Sequence, residues 1–133
     1  MVKGYFLRIL HDEWVESVFW SYRYYTGLRR RLGRGTYVFF LKKTEAGDSI
    51  VGYGVVEETL SYERLTEAEK ELCVNRGWNR CIVFEHMKRL RRPIPLKELP
   101  IDLGRGSGRL LHGRRVEGED LQRLLEILEA EKP

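Results

Sequence analysis

The side chains whose types could do chemistry in this chain are three histidines, two cysteines and one glycine-rich loop, and their spacing supports little of it. His11, His86 and His112 stand far apart and fall in no HxH, HxxxH or HExxH arrangement, so a metal site is unsupported. Cys73 and Cys81 form no CxxC pair and have no histidine at a diagnostic spacing. Gly104, Gly106 and Gly108 alternate with Arg105, Ser107 and Arg109 in the style of a phosphate cradle. No strand–loop–helix unit and no GK[ST] accompanies them, so they read as a basic loop. No motif singles out a pair of carboxylates. There is no positive case for an enzyme, and no cofactor is implied.

Aromatic residues give the stronger signal. Trp14, Phe19, Trp20, Tyr22, Tyr24 and Tyr25 crowd into twelve positions, beside Arg23, Arg29, Arg30, Arg31 and Arg34. Aromatic faces interleaved with guanidinium groups suit an unpaired base, which stacks on the rings while its phosphates meet the cations. Core packing accounts for several of these residues more simply: Trp14 and Phe19 are expected to face inward from a helix. Trp20, at the helix end and leading into the basic stretch, is the candidate for base contact.

The charges fall by segment. Lys and Arg number 24 against 20 Asp and Glu, and 17 of the 24 are arginine. Arginine's planar fork grips phosphate, although a charged, cysteine-poor composition is also what thermophilic chains show. Tyr22 to Lys43 holds seven bases and no acid, Arg76 to Lys97 seven bases and one acid, and Gly104 to Arg115 four arginines and no acid. Six acids lie between Glu57 and Glu71 and six more between Glu117 and Glu131. If the basic stretches converge they form a patch for a phosphate backbone; otherwise they are solvated faces paired with the acidic helices. The residues expected to meet phosphate are Arg23, Arg29, Arg30, Arg31, Arg34, Arg105, Arg109 and Arg114. At 133 residues the chain has the size of one domain. No run approaches the roughly 18 apolar residues of a membrane span. The first ten residues lack a signal-peptide pattern, so a cytoplasmic protein with reduced thiols is the default.

Positioning these residues falls to a small set of elements. Val2 to Leu10 reads as a strand, and His11-Asp12 offers the N-cap of a helix carrying Trp14, Val15, Val18 and Phe19. Ser21 to Gly35 has no clean period and reads as a long loop or short irregular helix. Thr36–Leu41 and Ile50–Thr59 are expected to pair as a hairpin, with Gly52 and Gly54 marking a bulge or a close approach of backbone. Thr66-Glu67-Ala68-Glu69 is a capping box for a short helix towards Asn75 that Gly77 closes. Arg80 to Arg89 follows as a strand ended by Pro93 and Pro95, and Asp120 to Lys132 as an amphipathic helix with Leu121, Leu124, Leu125 and Leu128 on one face. No parallel βαβ alternation is evident. The expected class is α+β, a curved mixed sheet or small barrel flanked by helices.

Four stretches resemble the EVE and YTH domains of the PUA-like group. They are Tyr5–Ile9 with Asp12-Glu13, then Val18-Phe19-Trp20-Ser21, then Gly35–Phe40 through Ile50–Val56, and last Trp78–Phe84 with Arg92–Leu96. Gly113-Arg114-Arg115 before a leucine-rich helix is similar to the EVE ending. The resemblance spans nearly the whole chain and implies a PUA-like barrel whose aromatic cage holds a flipped or modified base of RNA or DNA. Carried over by position, Trp20 is one wall of that cage and Ser21 lies beside the base edge. The chain departs from the YTH pattern at the second cage tryptophan, where it has the Glu67 to Asn75 segment. Tyr53, Tyr62 and Trp78 remain open as the other wall. The implied partner is nucleic acid, RNA rather than DNA, bound by a monomer with no membrane role. The competing readings are a small-ligand domain and a protein-interaction module that docks through the acidic C-terminal helix.

Overall fold

A computed structural model describes residues 2–101 and 111–133. The strands are β1 (Gly4–Arg8), β2 (Arg23–Thr26), β3 (Tyr37–Thr44), β4 (Gly47–Ser61), β5 (Arg80–Pro95) and β6 (Arg115–Val116). Among the described residues the α-helices are α1 (Asp12–Ser21), α2 (Glu67–Val74) and α3 (Gly118–Ala130). None of these helices is long and apolar enough to cross a membrane.

One mixed sheet of six strands runs β2-β5-β4-β3-β1-β6. The expected hairpin is β3 against β4, antiparallel from Tyr37↔Val55 to Thr44↔Gly47. Alternation sorts the side chains of the inner strands. Tyr5, Leu7, Val38 and Phe40 face α1, while Phe6, Phe39 and Leu41 face α3. Apolar residues on both faces need cover on both sides, and the two helices supply it. Leu121, Leu124 and Leu128 of α3 are buried in the second layer, and Leu125 is half-buried against it.

Three sequence expectations are corrected. The sheet is open rather than closed into a barrel: among the described residues β2 pairs only with β5, and the two-residue β6 only with β1. Closure needs edge strands long enough to meet at a consistent tilt and stagger, and these edges are too short for that. Next, β1 and β3 are parallel, Gly4↔Tyr37 through Arg8↔Leu41. A parallel pair needs a long crossover, which α1, β2 and the segment after it provide. Finally, the supposedly irregular stretch after Ser21 contains β2, whose residues alternate half-buried and buried.

Local chemistry sets the ends of the elements. In α2 the capping box forms: Thr66 Oγ1 accepts from the Glu69 N–H at 3.2 Å and Glu69 Oε1 from the Thr66 N–H at 3.0 Å. His11 is the N-cap of α1 but makes no side-chain cap bond; its ring packs edge-on to Trp14, with centroids 4.3 Å apart. Strand β5 runs on through Pro93 and Pro95, beyond the Arg80 to Val83 stretch that β2 covers.

No basic residue lies in the last turn of α3. Lys88 of β5 takes that place, its ammonium donating to the carbonyls of Leu128 at 2.9 Å and Glu129 at 3.0 Å. Lys88→Met is therefore expected to lower stability by about 1–2 kcal/mol, read in a denaturant titration. Loss of helical signal confined to α3 would accompany it.

Candidate nucleic-acid interface

Tyr24 and Tyr25 of β2, Trp14, Ser17 and Val18 of α1, and Trp78 just before β5 surround a cleft of about 980 Å³. Among the described residues five arginines line it (Arg8, Arg23, Arg29, Arg30 and Arg76) with His112, and no carboxylate does. Exposed Leu10 and Leu72 form an apolar lip.

Helical spacing explains the α1 wall. Trp14, Ser17 and Val18 are i, i+3 and i+4, hence one face. The Trp78 ring stands edge-on to Trp14 at 5.4 Å between centroids and nearly parallel to Tyr25 at 6.3 Å. Arg76 lies over both tryptophans, its guanidinium carbon 5.3 Å from the Trp14 ring centre and 5.5 Å from that of Trp78. Buried Tyr24 lies beneath, its hydroxyl donating to the Arg8 carbonyl at 2.7 Å.

Several of the arginines are held in place. Arg8 pairs with Asp48 at 2.8 Å. Arg23 pairs with Glu69 at 2.9 Å, and the Tyr25 hydroxyl donates to the same carboxylate oxygen at 2.5 Å. Arg30 donates to the Tyr5 hydroxyl at 3.0 Å and lies over that ring. The carbonyls of Leu28 and Arg29 both accept from Arg80, which fixes the turn carrying Arg29 and Arg30. Gly27 packs there against the Gly77 carbonyl, which would stand 2.9 Å from any Cβ. Among the described residues no carboxylate pairs with Arg29, Arg30 or Arg76. Three cations thus face the cleft without an acid to neutralise them.

Burial is the leading cause of the shifts of the titratable groups around the cleft. Burial pushes the Cys81 thiol up to about 12. Burial, then the Glu69 hydrogen bond, raises the Tyr25 phenol. Burial, then the neighbouring Arg8 charge, lowers His112, whose Nδ1 accepts the Arg8 backbone N–H at 3.0 Å. Among the described residues no three His, Cys, Asp or Glu side chains converge as metal ligands do.

Of the residues expected from sequence, the cleft gathers Trp78, Arg23, Arg29 and Arg30. Trp20 is outside it and 89% exposed, because six residues beyond Trp14 turns the side chain away from the cleft face of α1. Ser21 is also outside; its hydroxyl is taken up by the Ser17 carbonyl at 2.7 Å. Tyr53 is buried in the opposite layer against Phe39 and Tyr37. Arg31 does not line the cleft, and Arg34 pairs with Glu85 at 3.4 Å. Nor does Arg114 line it, although Gly113 just before it does; its backbone joins the β1 edge, its carbonyl accepting the Phe6 N–H. Arg105 and Arg109 lie outside the described residues.

Sequence reasoning did not assign Trp14, Tyr24, Tyr25, Arg8, Arg76 or His112 to a site. The available signal was Arg76-Gly77-Trp78, a cation and a tryptophan flanking a glycine just before a strand. Compared with protein-family models, with curated proteins and with solved structures, the chain matches none.

Proposed function

We propose that this domain binds single-stranded nucleic acid, RNA ahead of DNA, by taking one unstacked base into the cleft while its phosphates meet the arginine rim. The observation that carries the reading is the composition of the wall: among the described residues, tryptophan and tyrosine faces with five arginines and no acid. Aromatic faces accept any base, and each stacked base contributes about 1–3 kcal/mol. Unpaired guanidinium groups supply the salt-dependent part by releasing counterions. RNA is favoured because its recognised segments are commonly loops with splayed, unstacked bases. In this reading the chain acts as a binding module of the EVE and YTH kind, with Trp14, Trp78 and Tyr25 taking the place given to Trp20 by motif position.

The test is a titration of labelled RNA and DNA octamers at several salt concentrations. Three phosphate contacts, at Arg29, Arg30 and Arg76, give a slope of about −2 for log affinity against log salt on a single strand. Trp78→Ala is expected to weaken binding roughly fivefold to a hundredfold. Trp20→Ala leaves affinity unchanged. Affinity insensitive to both salt and Trp78→Ala would remove the reading.

A further inference from the structure

Arg76 differs from Arg8, Arg23 and Arg30 in what holds it. Arg8 and Arg23 are tied to carboxylates and Arg30 to the Tyr5 hydroxyl. Arg76 is exposed, and its partners are the faces of Trp14 and Trp78. Its backbone is fixed, by contrast. The Arg76 N–H donates to the Cys73 carbonyl at 3.1 Å, which also accepts the Trp78 N–H at 3.0 Å. The side chain can therefore swing while the loop stays in place.

We propose that Arg76 is the specificity-determining residue of the cleft, a guanidinium that covers the tryptophan faces and yields them only to a ligand that brings a phosphate. The inference rests on the nucleic-acid reading above and deepens it. At an exposed site each cation–π contact corresponds to about twofold to fivefold in an equilibrium constant. Displacing Arg76 from two rings therefore penalises any planar ligand by about fourfold to twenty-fivefold. A neutral nucleoside has nothing to offset that loss. A nucleotide or strand carries its phosphate to the rim, where the displaced guanidinium re-forms a charge-assisted, bidentate contact. The cleft thus discriminates against uncharged aromatic molecules through a repulsive element that the correct ligand relieves.

The experiment compares Arg76→Ala and Arg76→Gln with the unmodified chain. The probes are the four ribonucleosides, their 5′-monophosphates and an RNA octamer, titrated by calorimetry, with Trp78→Ala as the control for the cleft itself. Nucleosides are expected to bind about fivefold more tightly in both Arg76 variants, and monophosphates and the octamer several-fold more weakly. The preference for phosphate then falls by an order of magnitude or more. Equal changes for nucleoside and monophosphate, or none, overturn the role given to Arg76 while binding lost in Trp78→Ala keeps the cleft reading intact. If the unmodified chain binds none of the probes, the nucleic-acid reading fails and the role of Arg76 fails with it.

Discussion

Gly52→Val is expected to cost about 3–5 kcal/mol, enough to remove much of a domain's net stability. Gly52 sits in the middle of β4, where the Phe19 ring of α1 lies directly on the strand. A Cβ there would overlap Phe19 Cζ, come within 2.8 Å of Phe19 Cε1 and stand 2.5 Å from the Lys88 carbonyl oxygen of the neighbouring strand. The ring cannot move aside, since it also packs edge-on against Phe40 at 5.4 Å between centroids. The Lys88 carbonyl belongs to the sheet backbone, so neither neighbour yields cheaply. Thermal denaturation followed by circular dichroism reads the effect. Gly33→Ala is the matched control: a Cβ there meets nothing within 4 Å, and the loss of unfolded-state freedom leaves stability unchanged or slightly raised. A Gly52 variant as stable as the Gly33 one would show that α1 does not dock as described.

The second large effect is expected at Glu69. One carboxylate accepts from the Thr66 N–H, the Tyr25 hydroxyl and the Arg23 guanidinium, so it joins the start of α2 to the β2 edge. Glu69→Ala opens the capping box and leaves Arg23 and Tyr25 without their partner, an expected loss of about 2–4 kcal/mol. The same bonds make stability sensitive to acid. Burial pushes the Glu69 carboxyl up, but the bonds from Tyr25 and Thr66 and the charge of Arg23 together outweigh it and hold the group below its ordinary value of 4.5. With the folded value below the unfolded one, the unfolded chain takes up the proton first. The contribution of Glu69 is therefore complete above about 4.5 and is lost as pH falls through the lower folded value. Denaturant titrations at neutral pH and at pH 3 should show the gap between Glu69→Ala and the parent shrinking in acid. A gap that is constant with pH would mean the carboxylate is not held this way.

Local signals carried far in this sequence, and signals that depend on distant partners did not. Thr66 and Glu69 identify the start of α2 because both halves of a capping box lie within four residues. The β3–β4 hairpin and the leucine face of α3 are also written locally, in an apolar run around Ala46-Gly47-Asp48 and in a 3.6-residue period. Strand β2 was invisible for the opposite reason. Its four residues include an arginine and pair with β5 far along the chain, so nothing nearby marks it as extended. The parallel pairing of β1 and β3 depends on that same crossover. At the site, a cluster of aromatics beside arginines was legible; which rings face one another was not. Trp20 and Trp14 look alike in sequence, and only the docking of α1 through Phe19 decides that Trp14 faces inward to the cleft and Trp20 faces solvent. Trp78 joins them from a loop more than fifty positions later, beyond the reach of any spacing rule.

Strand β2 also sets what a ligand would do to the chain. Its register places Arg23 opposite Val83, sixty positions away, so the edge is secured by a contact between the first and middle thirds of the molecule. Four ladder pairs, Arg23↔Val83 to Thr26↔Arg80, form that connection among the described residues. A molecule in the cleft that touches both Tyr25 or Arg29 and Trp78 or Arg76 would span the same two segments and act as a removable staple across a long chain loop. Its binding free energy adds directly to the cost of detaching the sheet edge. Recognition and the integrity of that edge are then linked, and whatever loosens β2 weakens the ligand in proportion to the fraction of molecules whose edge is detached.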